Sequence, residues 1–292
     1  MRVITSTHSD LFKRLMLLNK KVLKLSKIDN NSTILVSGNK MVSEVCSVIK
    51  PNLILTTPSA LPYWQNKIEA PQKNFQVAED HIIKKVMSVE NLTSDSEAVV
   101  AEVPVPPPKQ LADLVPTSSP KPLMIACYEL LDPGNMGNII RTCYSLGCNS
   151  LLMFENTVSP YNSKCTKAAR GSNLFLPISS INWPELSNYV NTNNMACIFA
   201  SCSTSNDDAS INLNKLITDP NSRSTLSKFN GYVVVMGSEH HGITNDVILK
   251  SGVDKKNTIH IHIPMTNNFD SLNVSVACSL IVHTIKQIFC QP

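Results

Sequence analysis

Between Val103 and Pro122 the chain reads VPVPPPKQLADLVPTSSPKP, with prolines at 104, 106, 107, 108, 116, 120 and 122. A proline ring fixes φ and removes the amide donor, so such a run cannot occupy a helix interior or a strand ladder. The 292 residues must therefore fold as two separately closed halves. The expected division is a domain at 8–105, an extended linker at 106–120 and a domain at 121–292. Each half is long enough to bury its own core. An apolar content of 42% suits that, and no apolar run approaches the roughly 20 residues of a membrane span.

Nine cysteines, an odd and scattered set, do not form a disulfide framework. Cys143 and Cys148, or Cys197 and Cys202, are too far apart for a CxxC pair, which points to a reducing compartment. Sequons at Asn31, Asn91 and Asn273 carry no signal without a sign of secretion.

The net charge of +4 is unevenly spread, because residues 1–50 hold nine Lys/Arg against three Asp/Glu. From Asp10 to Lys27 the pattern predicts one amphipathic helix. Leu11, Leu15, Leu18, Val22 and Leu25 share a face, and Lys13, Lys20, Lys24 and Lys27 the opposite one. That lysine face suits either solvent or the phosphates of a nucleic acid. TILVSG, KMVSEVCSVIK and NLILTT then read as β-α-β; a strand fragment and helix follow, and EAVVAEVP reads as a closing strand.

Beyond Pro122, LMIACYE, SLLMF, NLFLPIS, ACIFAS, YVVVMG and TIHIHIP read as strands, several of them continuously apolar. Such runs belong to parallel sheets covered on both faces, and helical stretches lie between them. The predicted class is α/β with a mostly parallel sheet, closed by the long helix SLNVSVACSLIVHTIKQIF. Ligands of such sheets bind beyond the carboxyl ends of the strands, so the turns there are the places to search.

Three turns stand out. DPGNMGNIIRTCYSLG (132–147) follows the first strand and offers Asn135 and Arg141, six residues apart and expected near one rim. It lacks the G-x-G-x-x-G of a dinucleotide loop, which argues against a Rossmann enzyme. VVVMGSEHHGITNDV carries Gly237, Ser238, Glu239 and Gly242. IHIPMTNNFDSLNVSVA carries Ile263, Pro264, Met265, Ser271, Leu272 and Asn273. In this order these turns resemble the SpoU (TrmH-like) RNA ribose 2′-O-methyltransferases of the SPOUT superfamily. The resemblance runs from about Lys121 to Phe289, and KAARGSNLFLPI supports it. Residues 10–105, through LFKRLMLL, ILVSGNKMVSEV and AVVAEVP, look like the small ribosomal-protein-like α/β substrate-binding domain that precedes the catalytic domain in many members.

That resemblance implies a trefoil knot, S-adenosylmethionine as cofactor, structured RNA as substrate with rRNA favoured over tRNA, and a homodimer whose protomers complete each active site. Cofactor contacts carry over onto Gly237, Ser238, Gly242, Ile263, Pro264, Met265 and Leu272, where a close-approaching main chain would hold the adenine. Catalytic roles carry over onto Asn135, Arg141, Glu239, Ser271 and Asn273. Arg141 is a general base or an electrostatic stabiliser of the ribose oxygen. A permanently protonated guanidinium suits the second role better. Glu239 is structural or catalytic, and Arg170 grips phosphate or a surface carboxylate. RNA phosphates are expected on Lys13, Lys20, Lys24 and Lys27. A glycine usual in the third loop is replaced around Asn267 and Asn268, which tolerate the left-handed region. His260 and His262 lack companions for a metal site, and none is expected. The Ser/Asn/Pro-rich, low-glycine composition looks eukaryotic, and the resemblance then implies an organelle over the cytoplasm, since many eukaryotic members serve organelle ribosomes; a non-catalytic RNA-binding or ribosome-assembly factor is the alternative reading.

Overall fold

The computed structural model describes residues 3–21, 23–92, 94–114, 121–201, 210–238, 242–266 and 271–290. Val22, Glu239, His240, His241, Asn267 and Asn268 lie outside them, so the expectations placed on those residues do too. Two compact units result, one of residues 1–107 with 159–175 and one of 108–158 with 176–292.

In the first unit the strands are β1 (Val3–Ile4), β2 (Thr33–Ser37), β3 (Leu53–Thr56), β4 (Phe75–Ala78) and β5 (Val99–Pro104). The helices are α1 (Asp10–Lys20), α2 (Asn39–Cys46), α3 (Leu61–Lys67) and α4 (Asp80–Met87). The sheet order is β1-β4-β3-β5-β2. The expected β-α-β therefore opens up. The last strand, β5, inserts antiparallel between β2 and β3, pairing Ile34 with Val103 on one side and Ile54 with Ala101 on the other. Leu15 of α1 packs with Leu55, Ile82, Ile83, Val86 and Val100 in the core.

Helix α1 is shorter than its periodicity suggests. Ser9 caps it by accepting from the Phe12 amide, and it ends at Lys20 where Lys21 turns extended. The chain departs there to bury Leu23, leaving 3% of it exposed. Lys24 and Lys27 consequently leave the helical lysine face: Lys24 precedes and Lys27 ends a separate 3-10 turn, Leu25–Lys27. The exposed face of α1 holds Lys13, Arg14, Leu17 and Lys20. Arg14 also reaches Glu102 of β5 through two hydrogen bonds of 3.0 and 2.7 Å, and Thr33 Oγ1 donates to the same carboxylate at 2.9 Å.

The second unit continues with β6 (Leu123–Cys127), α5 (Pro133–Ser145), β7 (Ser150–Met153), β8 (Ile178–Ser180) and α7 (Trp183–Thr192); α6 (Ser163–Ala169), between β7 and β8, belongs to the first unit. Next come β9 (Ala196–Ser201), β10 (Ser210–Asn212), α8 (Leu213–Thr218), α9 (Pro220–Ser227), β11 (Tyr232–Met236), α10 (Asn245–Lys250), β12 (Thr258–His262) and α11 (Val274–Phe289). The order is β10-β12-β9-β11-β6-β7-β8, and every pairing is parallel. The fully buried β6, β7 and β11 are the continuous apolar runs of the sequence. β8 is shorter than NLFLPIS suggests, because Ser172–Leu174 forms a 3-10 turn instead.

The proline segment is not extended throughout. Pro104 closes β5, opposite Thr33. Ser179 Oγ donates to the Lys109 carbonyl at 2.6 Å, and after the 3-10 turn Leu111–Asp113 the side chain of Leu114 is buried in the second core. Residues 115–120 lie outside the described set.

Candidate active site

A parallel sheet sends the chain out of every strand at the same edge. β11 lies between β6 and β9, and β12 lies on the far side of β9. The turns after β6, β11 and β12 therefore all leave one carboxyl edge. Adjacent strands are about 4.8 Å apart, so this places Gly237 and Ile263 roughly 10 Å from each other across the sheet.

The turn after β11 is closed by its own backbone. The Gly242 amide donates to the Ser238 carbonyl at 2.9 Å, and the two residues form an isolated antiparallel bridge. A Cβ on Gly237 would come within 2.4 Å of the Gly242 carbonyl carbon and 2.6 Å of its oxygen, so only glycine fits. Gly242 itself sits at φ +61, and no described atom lies within 4 Å of where its Cβ would point. Gly237 is buried, and Ser238 and Gly242 are half-buried where the turn meets the sheet edge. After β12, Ile263 and Met265 are half-buried and Pro264 exposed; Ser271 and Leu272 are exposed just before α11.

The first turn folds differently from its expected form. Asp132 caps α5 by accepting from the Asn135 amide at 2.7 Å, and Pro133 occupies the first helical position. Asn135 and Arg141 therefore both lie within one helix, about 9 Å apart along its axis, rather than side by side on a turn. The inner face, Met136, Gly137, Ile139, Ile140 and Cys143, is buried. The outer face carries Asn138, Arg141 and Ser145.

What joins the motifs is a side-chain contact between helices. Asn273, the N-cap of α11, donates through Nδ2 to Asn135 Oδ1 at 2.9 Å. Further along, Thr142 Oγ1 and Ser279 Oγ are 3.1 Å apart. Between these clamps runs an open groove of about 490 Å³ lined by Asn138, Arg141, Thr142, Ser145, Ser275 and Ser279 among others. Arg141 is exposed there, and no ion pair to it forms among the described residues.

The nearby thiol takes no part in nucleophilic chemistry. Hydrogen bonds to the Cys148 and Cys278 thiols, together with burial, push Cys143 well above the ordinary thiol range. His262 is engaged with Ser210, its Nδ1 lying 3.0 Å from Oγ, while His260 lies beside the Phe199 ring.

The structure thus brings Asn135 and Asn273 into contact and sets Arg141 in the adjoining groove. Gly237, Ser238 and Gly242 form one closed turn at the same sheet edge. Arg170 is elsewhere, exposed at the left-handed C-cap of α6 (φ 50) within the first unit. Sequence reasoning missed Asn138, Thr142, Ser275 and Ser279. The available signal was Asn-x-Ser at a helix start, followed by Ser279 one turn later on the same face.

Glycine-bearing and Asn-bearing turns gathered at one carboxyl edge of a parallel sheet mark an α/β domain of the kind that binds ligands at that edge. The family model described as the SpoU rRNA Methylase family matches residues 122–283, more than half of the chain, and the chain belongs to that family. It is 24% identical over 213 residues to rRNA methyltransferase 3, mitochondrial, of Xenopus tropicalis, covering 59% of this chain and 51% of that protein. It thus spans about half the length of that relative. To the 23S rRNA (guanosine(2553)-2′-O)-methyltransferase RlmP of Bacillus subtilis it is 20% identical over 269 residues, covering 91% and 94%. The fold matches the AdoMet-bound rRNA methyltransferase of Sinorhizobium meliloti with a TM-score of 0.73 at 18% identity, covering 98% of this chain and 97% of that one.

Proposed function

We propose that this chain is an S-adenosylmethionine-dependent methyltransferase acting on a ribose 2′-hydroxyl of structured RNA, rRNA in preference to tRNA. The observation that carries this is the Asn273–Asn135 hydrogen bond of 2.9 Å, which joins the first and third motifs beside the Arg141 groove. The relatives support the substrate: one is named for mitochondrial rRNA and another for the 2′-oxygen of a 23S rRNA guanosine. Mitochondrial names among the eukaryotic relatives also favour an organelle over the cytoplasm.

S-adenosylmethionine, when bound, supplies an electrophilic sulfonium methyl group. The main chain of Gly237, Ser238 and Gly242 would hold it, with Ile263, Pro264, Met265 and Leu272 offering apolar surface. A ribose hydroxyl is a poor nucleophile until negative charge on its oxygen is stabilised. Arg141 carries a permanent positive charge and stabilises that charge or grips the flanking phosphate. Asn135, held by Asn273, adds an amide, and the family resemblance also gives Ser271 and Glu239 catalytic roles.

The proposal assigns residues 8–105 to RNA binding, 106–120 to the linker and 121–292 to catalysis. Lys13 and Lys20 on α1, with Lys24 and Lys27 beyond it and Arg170 on α6, contact phosphates, which give affinity without sequence choice. RNA affinity should therefore fall steeply with salt, and a salt-independent affinity would remove the lysines from the account. The trefoil knot is proposed for the segment ending in α11, which packs on α5 and also touches β11.

Two protomers are proposed to pair through α5 and α11. Their outer faces expose Tyr144, Val276 and Leu280 (47%, 47% and 44%) beside the polar groove. The functional test is a map of ribose methylation across total RNA with and without the protein. One methylated position should disappear on its loss. An unchanged map would favour a non-catalytic assembly factor.

A further inference from the structure

We propose that Ser275 is a positioning residue which fixes the amide of Asn273 and, through it, the orientation of the Asn135 side-chain amide; this rests on the methyltransferase reading. Ser275 is 6% exposed, in the first turn of α11. Its backbone amide donates to Asn273 Oδ1 at 3.0 Å, and its hydroxyl donates to the same oxygen at 2.7 Å. An amide nitrogen cannot accept, so the doubly bonded atom is the carbonyl oxygen and the Asn273 flip is determined.

The consequence passes to the neighbouring helix. Asn273 Nδ2 points away from Ser275 and donates to Asn135 at 2.9 Å, so the receiving Asn135 atom is its carbonyl oxygen. The NH2 group of Asn135 is thereby turned away from Asn273.

A second set of bonds holds the same helix pair in register. Ser279 Oγ gives its single proton to the Ser275 carbonyl at 2.7 Å, so in the 3.1 Å contact with Thr142 the threonine is the donor. Asn135 and Thr142 are seven residues apart on α5, about two helical turns. Arg141, next to Thr142, lies between the two clamps. Ser275 contributes to both, with its side chain to the first and its carbonyl to the second. Replacing it with alanine removes only the hydroxyl bond and leaves the second clamp intact.

The test compares wild type, Ser275→Ala, Asn273→Ala and the double variant in the full chain. For Ser275→Ala, kcat for methyl transfer to RNA should fall about tenfold, the effect of one hydrogen bond, with KM for S-adenosylmethionine within about twofold. The double variant should be no slower than Asn273→Ala alone, since both substitutions act through one amide. An unchanged kcat, or losses that multiply in the double variant, would overturn the proposal. Side-chain amide exchange by NMR supplies a readout independent of activity: exchange of the Asn273 NH2 should quicken about tenfold in Ser275→Ala. If wild type transferred no methyl group, the methyltransferase reading would fall, and unchanged amide exchange would separately overturn the role of Ser275.

Discussion

At Gly237 a single methyl group would overlap the Gly242 backbone at 2.4 and 2.6 Å, and backbone cannot rotate aside as a side chain can. Gly237→Ala must therefore push the turn open. The expected cost is about 2–3 kcal/mol of stability together with loss of S-adenosylmethionine binding, checked by thermal melting and by cofactor titration. A variant that melted and bound as wild type would show that this turn is not the cofactor's seat. The sequence offered Gly237 only through the family resemblance, because the backbone that requires glycine there comes from Gly242, five residues on. Ser275 was not legible, since a serine in a helix's first turn becomes informative only when its hydroxyl is seen on Asn273. Asn135 and Arg141 were legible as a pair but misplaced, because Pro133 starts the helix before them and spreads them along its axis.

Helix α1 shows where periodicity misleads at the scale of an element. The apolar spacing runs on through Leu25 without a glycine or proline to stop it, yet the helix ends at Lys20. Leu23, just beyond the helix end, is buried instead at 3% exposure. The contact that ties this helix to the sheet was equally hidden: Arg14 pairs with Glu102, 88 residues away, whose side chain is only 6% exposed. Arg14→Ala would leave that carboxylate buried with Thr33 as its remaining side-chain partner. We expect a loss of about 2–3 kcal/mol, below the figure for a fully buried pair because Arg14 is half exposed. Urea unfolding checks this; a midpoint unchanged from wild type would show that the pair contributes nothing net.

Across the whole molecule, the α/β class with a mostly parallel sheet could be read from the chain, because continuous apolar runs are a local signal. Strand order could not. Inserting β5 between β2 and β3, or β11 between β9 and β6, depends on pairings between segments tens of residues apart. The same holds for residues 159–175, which lie between β7 and β8 yet group with the first unit. The proposed pairing of protomers belongs to this scale as well. Sedimentation across a hundredfold range of concentration should show a dimer that Val276→Glu with Leu280→Glu converts to monomer, and a wild-type monomer throughout would remove it. The central claim is the transfer itself. Tritiated-methyl S-adenosylmethionine should label RNA in the presence of wild-type protein, and digestion should recover the label in one 2′-O-methylnucleoside. Arg141→Ala should reduce incorporation at least a hundredfold, about 2.7 kcal/mol of transition-state stabilisation. Label recovered on a base, or equal incorporation by Arg141→Ala, would contradict the account.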